Sequence, residues 1–175
     1  MQKHIMAVCL TWPDGKLTSQ AAAWLFNRFP PQNIRFACFG PGVDYARNHI
    51  VKRIFLPSNF PKLLMIDNDM RPDARADLIF KAEGDIIGAL YDANNPAANA
   101  DPDVVHLGLV LIRREVFLEI EPPWFEMNYD KEKARIISCE CASFCRKAKE
   151  KGFKITKAGY CPHTPISRLL RLAPI

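Results

Sequence analysis

Two carboxylates, Asp67 and Asp69, close the apolar run Leu63-Leu64-Met65-Ile66 and are followed by Met70-Arg71-Pro72-Asp73. A run of that length, ended by charge and then by proline, reads as a buried strand whose carboxyl end breaks surface at the acidic pair. In an open α/β sheet, ligands bind at that edge. Residues i and i+2 of a strand share a face, so the spacing lets Asp67 and Asp69 aim at one point. Two hard oxygen donors aimed together suit magnesium or manganese, which keeps its remaining positions for water and phosphate oxygens. The plain alternative is that both Asp residues belong to a turn and cap a helix beginning near Pro72.

Other reactive side chains are spread along the chain. Of six cysteines, Cys9 and Cys38 lie in apolar stretches and read as small core residues. Cys139, Cys141, Cys145 and Cys161, with His163 close behind, carry metal-binding groups, but C-x-C-x3-C followed by C-x-H lacks the paired C-x2-C knuckles of a zinc site. No sign of secretion accompanies them, so a disulfide framework is not expected. The net charge of +5 favours acidic ligands such as a nucleotide or sugar diphosphate. Much of it sits in Arg146, Lys147, Lys149, Lys151, Lys154 and Lys157, of which positions 146–151 read as a solvated helix face. Arg168 and Arg171 make the C-terminal tail a candidate for peripheral membrane contact. The aromatics do not interleave with the basic residues, which argues against nucleic-acid binding.

The elements that must position these groups follow from periodicity and punctuation. At 175 residues, 49% hydrophobic and 25% charged, the chain is ordinary globular material and reads as one domain, residues 1–175. It has no apolar run near the roughly 18 residues of a membrane span and no signal-peptide pattern, so a cytoplasmic location is expected. Residues 4–11 are apolar on both strand faces, as in a central parallel strand. A turn at residues 12–15 leads to a helix capped by Ser19 and stopped by Pro30-Pro31. Strands are predicted over 34–39, 85–90, 104–113 and 153–157. Helices are predicted over 45–55, 74–83, 115–120 and 143–151, and residues 91–102 read as a mobile loop. Alternating strands and helices imply a mostly parallel twisted sheet with helices on both faces.

Together these pieces resemble the GT-A glycosyltransferases, in particular the small bacterial and phage proteins of the family-two-like group. The first strand followed by Thr11, Trp12 and Pro13 looks like the family's first nucleotide-contacting strand and turn. Tyr45-Ala46-Arg47-Asn48-His49-Ile50-Val51 is similar to its helix bearing Ala-Arg-Asn, and Asp67-Asn68-Asp69 matches its metal-binding D-x-D. The stretch from Val105 through Gly108 to Phe117 looks like its acceptor-side segment. Pro123-Trp124-Phe125, Phe144 through Ile155, and Cys161-Pro162-His163 follow in the family's order. The resemblance implies a GT-A type fold with a minimal acceptor region, and a nucleotide-diphosphate sugar donor bound near Thr11, Trp12, Pro13 and Arg47. It also implies a divalent metal, manganese or magnesium, on Asp67, Asp69 and His163. Gly108, Trp124 and Phe125 would then lie on the acceptor side, and the activity would be sugar transfer to an acceptor the sequence does not identify.

Two departures bear on that reading. Family members commonly carry Glu-Asp, then two residues, then Phe-Cys, with the Asp as candidate base of inverting enzymes. Here the stretch is Glu140-Cys141-Ala142-Ser143-Phe144-Cys145. A neutral thiol is a poor substitute for a carboxylate beside an acceptor hydroxyl, which leaves Glu140 as the candidate catalytic base. Its plain role would be to cap the helix near Ser143. Without such a base the protein would be retaining, would borrow a base from the acceptor, or would be a non-catalytic nucleotide-sugar-binding protein on the same fold. The second departure is length: there is little chain for an acceptor subdomain, so a homo-oligomeric partner or an open acceptor site is expected.

Overall fold

The computed structural model describes residues 1–11, 16–38, 42–90, 100–130, 132 and 135–163. The strands are β1 (Ile5–Thr11), β2 (Ile34–Cys38), β3 (Lys62–Asp67), β4 (Ile86–Leu90), β5 (Leu109–Arg113), β6 (Asn128–Asp130), β7 (Arg135–Ser138) and β8 (Ile155–Tyr160). Six of them form one sheet in the order β2-β1-β3-β5-β4-β8, while β6 and β7 make a separate antiparallel hairpin. The pairs β1–β2, β1–β3 and β4–β8 are parallel. Strand β5 runs antiparallel to both neighbours. The sheet is therefore mixed, mostly parallel as predicted, with one reversed strand at its centre. Periodicity marks β5 as a strand but carries no information on its direction.

Strand alternation distributes the core over both faces. From β1, Met6, Val8 and Leu10 join Leu63, Met65, Val110 and Ile112 on one side; Ile5, Ala7 and Cys9 join Leu64, Ile66, Leu109 and Leu111 on the other. The second face is covered by α1 (Ser19–Arg28), through Ala21, Trp24 and Leu25, and by the 3₁₀ segment Ala74–Phe80 through Ala76 and Ile79. The first is covered by α2 (Val43–His49), the π-helical turns Ile50–Phe55, α3 (Arg114–Glu119) and α4 (Glu140–Glu150). Here Phe117 packs against Phe55, Trp124, Phe125 and Phe144 with ring centroids 5.7–6.3 Å apart.

Several boundaries differ from the expectation for identifiable reasons. Thr18, not Ser19, caps α1, because its hydroxyl accepts from the Ala21 N–H. Asp73, rather than Asp67 or Asp69, caps the segment after Pro72, accepting from the Arg75 N–H. Helix α4 begins at Glu140 rather than near Ser143, and Ser143 is fully buried inside it. No helix among the described residues is long and apolar enough to cross a membrane. The basic segment is solvated as expected: Lys147 pairs with Glu126 and Lys149 with Asp103. Arg168 and Arg171 lie outside the described residues, as do positions 91–99 of the predicted loop.

Candidate functional site

Strand β3 carries Asp67 to the carboxyl edge of the sheet, level with Leu10 of β1, so Thr11 lies at the same edge and is buried there. The strand stops at Asp67, and the rule that i and i+2 share a face stops with it. Asp69 instead sits on a turn that neighbouring segments hold in place. The Asp67 N–H donates to the Gly108 carbonyl (2.8 Å) and the Met70 N–H to the Asp67 carbonyl (3.2 Å). Asn68, the middle residue, is 1% exposed; its amide donates to the Lys16 carbonyl (2.7 Å), and its own carbonyl accepts from the Thr18 N–H (2.9 Å). The Thr18 hydroxyl donates to the Met70 carbonyl, and the Arg71 N–H to the Pro162 carbonyl (2.8 Å). This last contact, with a bridge between Met70 and His163, draws the chain after β8 alongside the turn.

The result is two neighbouring carboxylate centres. On one, His163 Nε2 lies 3.0 Å from Asp69 Oδ2, and both side chains reach solvent. On the other, Arg47 Nη2 donates to both oxygens of Asp67 at 3.1 and 3.0 Å, while Arg47 Nε lies 3.6 Å from Glu140 Oε1. Arg47 is only 2% exposed, so its charge is compensated by these two carboxylates. Burial pushes the Asp67 carboxyl above its ordinary range; Arg47 opposes this, whereas Asp69 and Glu140 add to it. Three like charges around a single guanidinium leave the region electronegative.

Cys38, expected in the core, is exposed at the end of the edge strand β2, while the other five cysteines separate into two kinds. Burial pushes the Cys9 and Cys161 thiols up to about 12 and Cys145 up to about 11. These are inert core groups. Cys139 is half-buried just ahead of α4, and its thiol is pulled down to about 6, chiefly by its hydrogen bond with Cys141 and also by the N–H groups of Ala142 and Cys141. Cys141 is raised well above its ordinary value by the same contact and by burial, and its sulfur lies 3.6 Å from Glu140 Oε1. Among the described residues, Cys139, Glu140 and Cys141 are the one place where three potential ligand atoms fall within 4.8 Å of one another. Cys145 and Cys161, by contrast, face the Val105 and Pro162 carbonyls.

Trp124 and Phe125 reach this region through the backbone rather than their rings. The rings are buried in the aromatic core, with Trp124 Nε1 donating to the Phe117 carbonyl (3.0 Å). Asn48 latches the segment to α2: its Oδ1 accepts from the Trp124 and Phe125 N–H groups, and its Nδ2 donates to the Phe125 and Asp44 carbonyls. Asn48 and Asn68 are the positioning residues that sequence reasoning missed. The only signal for either was a polar residue interrupting a structured stretch. Trp12 and Pro13 lie outside the described residues.

The chain shares its fold with A197 from STIV. The two superpose with a TM-score of 0.58 at 12% sequence identity, over 92% of this chain and 82% of that one. No family model matches the chain, and no curated protein matches it. At that identity the likeness to A197 concerns the fold alone. What the site itself offers is an edge-of-sheet cluster of three carboxylates and an imidazole, built from β3, α2, α4 and the segment after β8. It can hold a cation at Asp69 and His163, next to a rigid Arg47–Asp67–Glu140 ion cluster.

Proposed function

We propose that the protein is a metal-dependent glycosyltransferase that moves a sugar from a nucleotide-diphosphate donor to an acceptor. The observation that carries this is the Asp69–His163 pair beside Arg47-held Asp67 at the carboxyl edge of a mixed α/β sheet, where such folds bind nucleotides. The donor set fits a small hard cation. Two ligands at about 2.1 Å in cis positions of an octahedron stand about 3.0 Å apart, which is the separation of Asp69 Oδ2 and His163 Nε2. Asp69 and His163 would hold manganese or magnesium, which would supply charge neutralisation to a departing diphosphate; Asp67, expected as a third ligand, is turned onto Arg47 instead, and the donor atoms of Asp67, Asp69 and His163 do not all come within 4.8 Å of one another.

The chain's own residues have separable roles. Arg47 fixes the orientation of Asp67 and holds the Glu140 side chain against its guanidinium. Asn68 fixes the turn, so that Asp69 meets His163 without an entropic cost at binding. Glu140, the one carboxylate of residues 140–145, would be the group that takes the acceptor's proton. A second reading, a nucleotide-sugar-binding protein without transfer, is favoured by the same residue. The carboxylate of Glu140 is already engaged by Arg47 and Cys141, and it is 7% exposed.

Calorimetric titration of UDP and GDP with manganese tests the common part of both readings. Asp69→Ala should abolish metal-dependent nucleotide binding while the thermal transition is retained; equal affinity in that variant would refute the site. Glu140→Gln then separates the two readings. Loss of sugar transfer with donor binding retained makes Glu140 the base, and unchanged turnover removes it from the mechanism.

A further inference from the structure

A cavity of about 710 Å³ opens between the outer face of α2 with its π-helical continuation and the segment 122–128. Its volume is that of a small-molecule site. His49 lies four residues after Tyr45, and Lys52 and Arg53 lie three and four after His49, so all four share one side of the helix, away from Arg47 and the ion cluster. The Tyr45 and His49 rings stack with centroids 6.3 Å apart and planes inclined by 26°, and Tyr45 is 57% exposed. They form a ready platform for the face of a ring.

The charges at this cavity are not paired with one another. Of its two carboxylates, Glu126 is paired with Lys147, and Asp44 Oδ1 accepts from the Tyr45 N–H (2.9 Å). Among the described residues no carboxylate comes within ion-pair distance of Lys52 or Arg53, although Arg28, Arg75, Arg113 and Lys149 each have one. Two cations without an ion-pair partner among the described residues, and an imidazole, therefore line the cavity. Asn128 adds an amide to the opposite wall.

We propose that this cavity binds a phosphorylated saccharide, with the sugar ring on Tyr45 and His49 and the phosphate on Lys52 and Arg53. A planar guanidinium beside an ammonium suits a phosphate, and a stacking platform with polar walls suits a sugar better than an apolar ligand. The cavity holds two cations rather than a row, which sets it apart from a nucleic-acid track. That this saccharide is the acceptor rests on the transferase reading above; the binding itself does not.

Calorimetry on the full chain in EDTA, with glucose 1-phosphate as probe, tests the site without any metal. Glucose and inorganic phosphate should each bind more weakly than glucose 1-phosphate. The double variant Lys52→Glu/Arg53→Glu should lower affinity on the order of tenfold or more, and Tyr45→Ala should lower it with the charge intact. Manganese-dependent nucleotide binding should be unchanged in both variants. A parallel arm with phosphatidylcholine vesicles containing phosphatidylinositol distinguishes a lipid-borne sugar phosphate from a soluble one, and binding in either arm supports the site. Absence of binding in both arms, or equal affinity in the charge-reversed variant, overturns it. If Asp69→Ala leaves nucleotide binding intact while the cavity still takes its probe, the transferase reading falls and this site stands.

Discussion

Replacing Arg47 with Met isolates the charge that holds the acidic edge together. Methionine roughly matches the length of the buried arginine stem, so packing around the side chain is largely kept while the guanidinium is removed. The variant loses two hydrogen bonds to Asp67, at 3.0 and 3.1 Å, and the 3.6 Å ion pair to Glu140. It leaves two carboxylates in a region where Glu140 is 7% exposed. Removing one partner of a buried ion pair costs about 3–5 kcal/mol. For a chain of this size that corresponds to a fall in Tm of about 6–20 °C, at roughly 2–4 °C per kcal/mol. Urea unfolding followed by circular dichroism, compared at constant m-value, gives the number. The triple variant Arg47→Met/Asp67→Asn/Glu140→Gln should recover most of the loss, because no uncompensated charge is left. Arg47→Lys should recover little, since a point charge does not span both carboxylates. A single variant within about 1 kcal/mol of the parent would refute the cluster as a stabilising unit. A triple variant as unstable as the single one would assign the loss to packing.

Three further outcomes are expected. Asn68→Ala should destabilise the protein by about 0.5–1.5 kcal/mol, because the hydrogen bond from the buried Asn68 amide to the Lys16 carbonyl is lost; it should also weaken manganese-dependent nucleotide binding by loosening the turn, and chemical unfolding with calorimetry reads both. Asp77 accepts two hydrogen bonds from Arg28 and one from Trp24, and the Arg28 bonds hold its carboxyl below the ordinary range. A depressed value in the folded state means that the contribution is fully present above the unfolded value of about 4 and is lost as pH falls through the folded one. The stability gap between the parent and Asp77→Asn should therefore be constant near neutrality and close below about pH 4. Cys139, with its thiol at about 6, should react with iodoacetamide at a rate that halves near pH 6 and is flat above neutrality; Cys139→Ser should abolish that phase, and a rate still rising through pH 8 would refute the assignment.

The parts of the fold that the sequence made legible are those set by local pattern. The apolar runs of β1 and β3 are buried on both faces, which a two-sided hydrophobic strand requires, and the acidic end of β3 emerges at the sheet edge. What depended on long-range pairing was not legible. Asp69 leaves the strand because β3 ends one residue before Asn68, whose buried amide is committed to Lys16. The hairpin β6–β7 went unseen because its connection is rich in Lys and Glu, which mask a strand signal. Glu140, the candidate base, is buried against the guanidinium of Arg47, a residue from a distant helix that no local pattern links to it. The early start of α4 was hidden because Cys139 is a weak cap.

The reversed strand β5 has a consequence for biosynthesis. With β5 wedged between β3 and β4, strand β4 can be covered on its other side only by β8, which leaves the ribosome long after it. Until then β4, buried at four of its five positions in the finished sheet, presents a bare apolar edge. His163 follows β8 directly, so the Asp69 contact and the protection of that edge are completed in the same late step. Non-local pairing of this kind is slow and exposed to aggregation. Substitutions in Ile155–Tyr160 should then reduce soluble yield and increase dependence on chaperones, while the molecules that do fold bind their ligands normally.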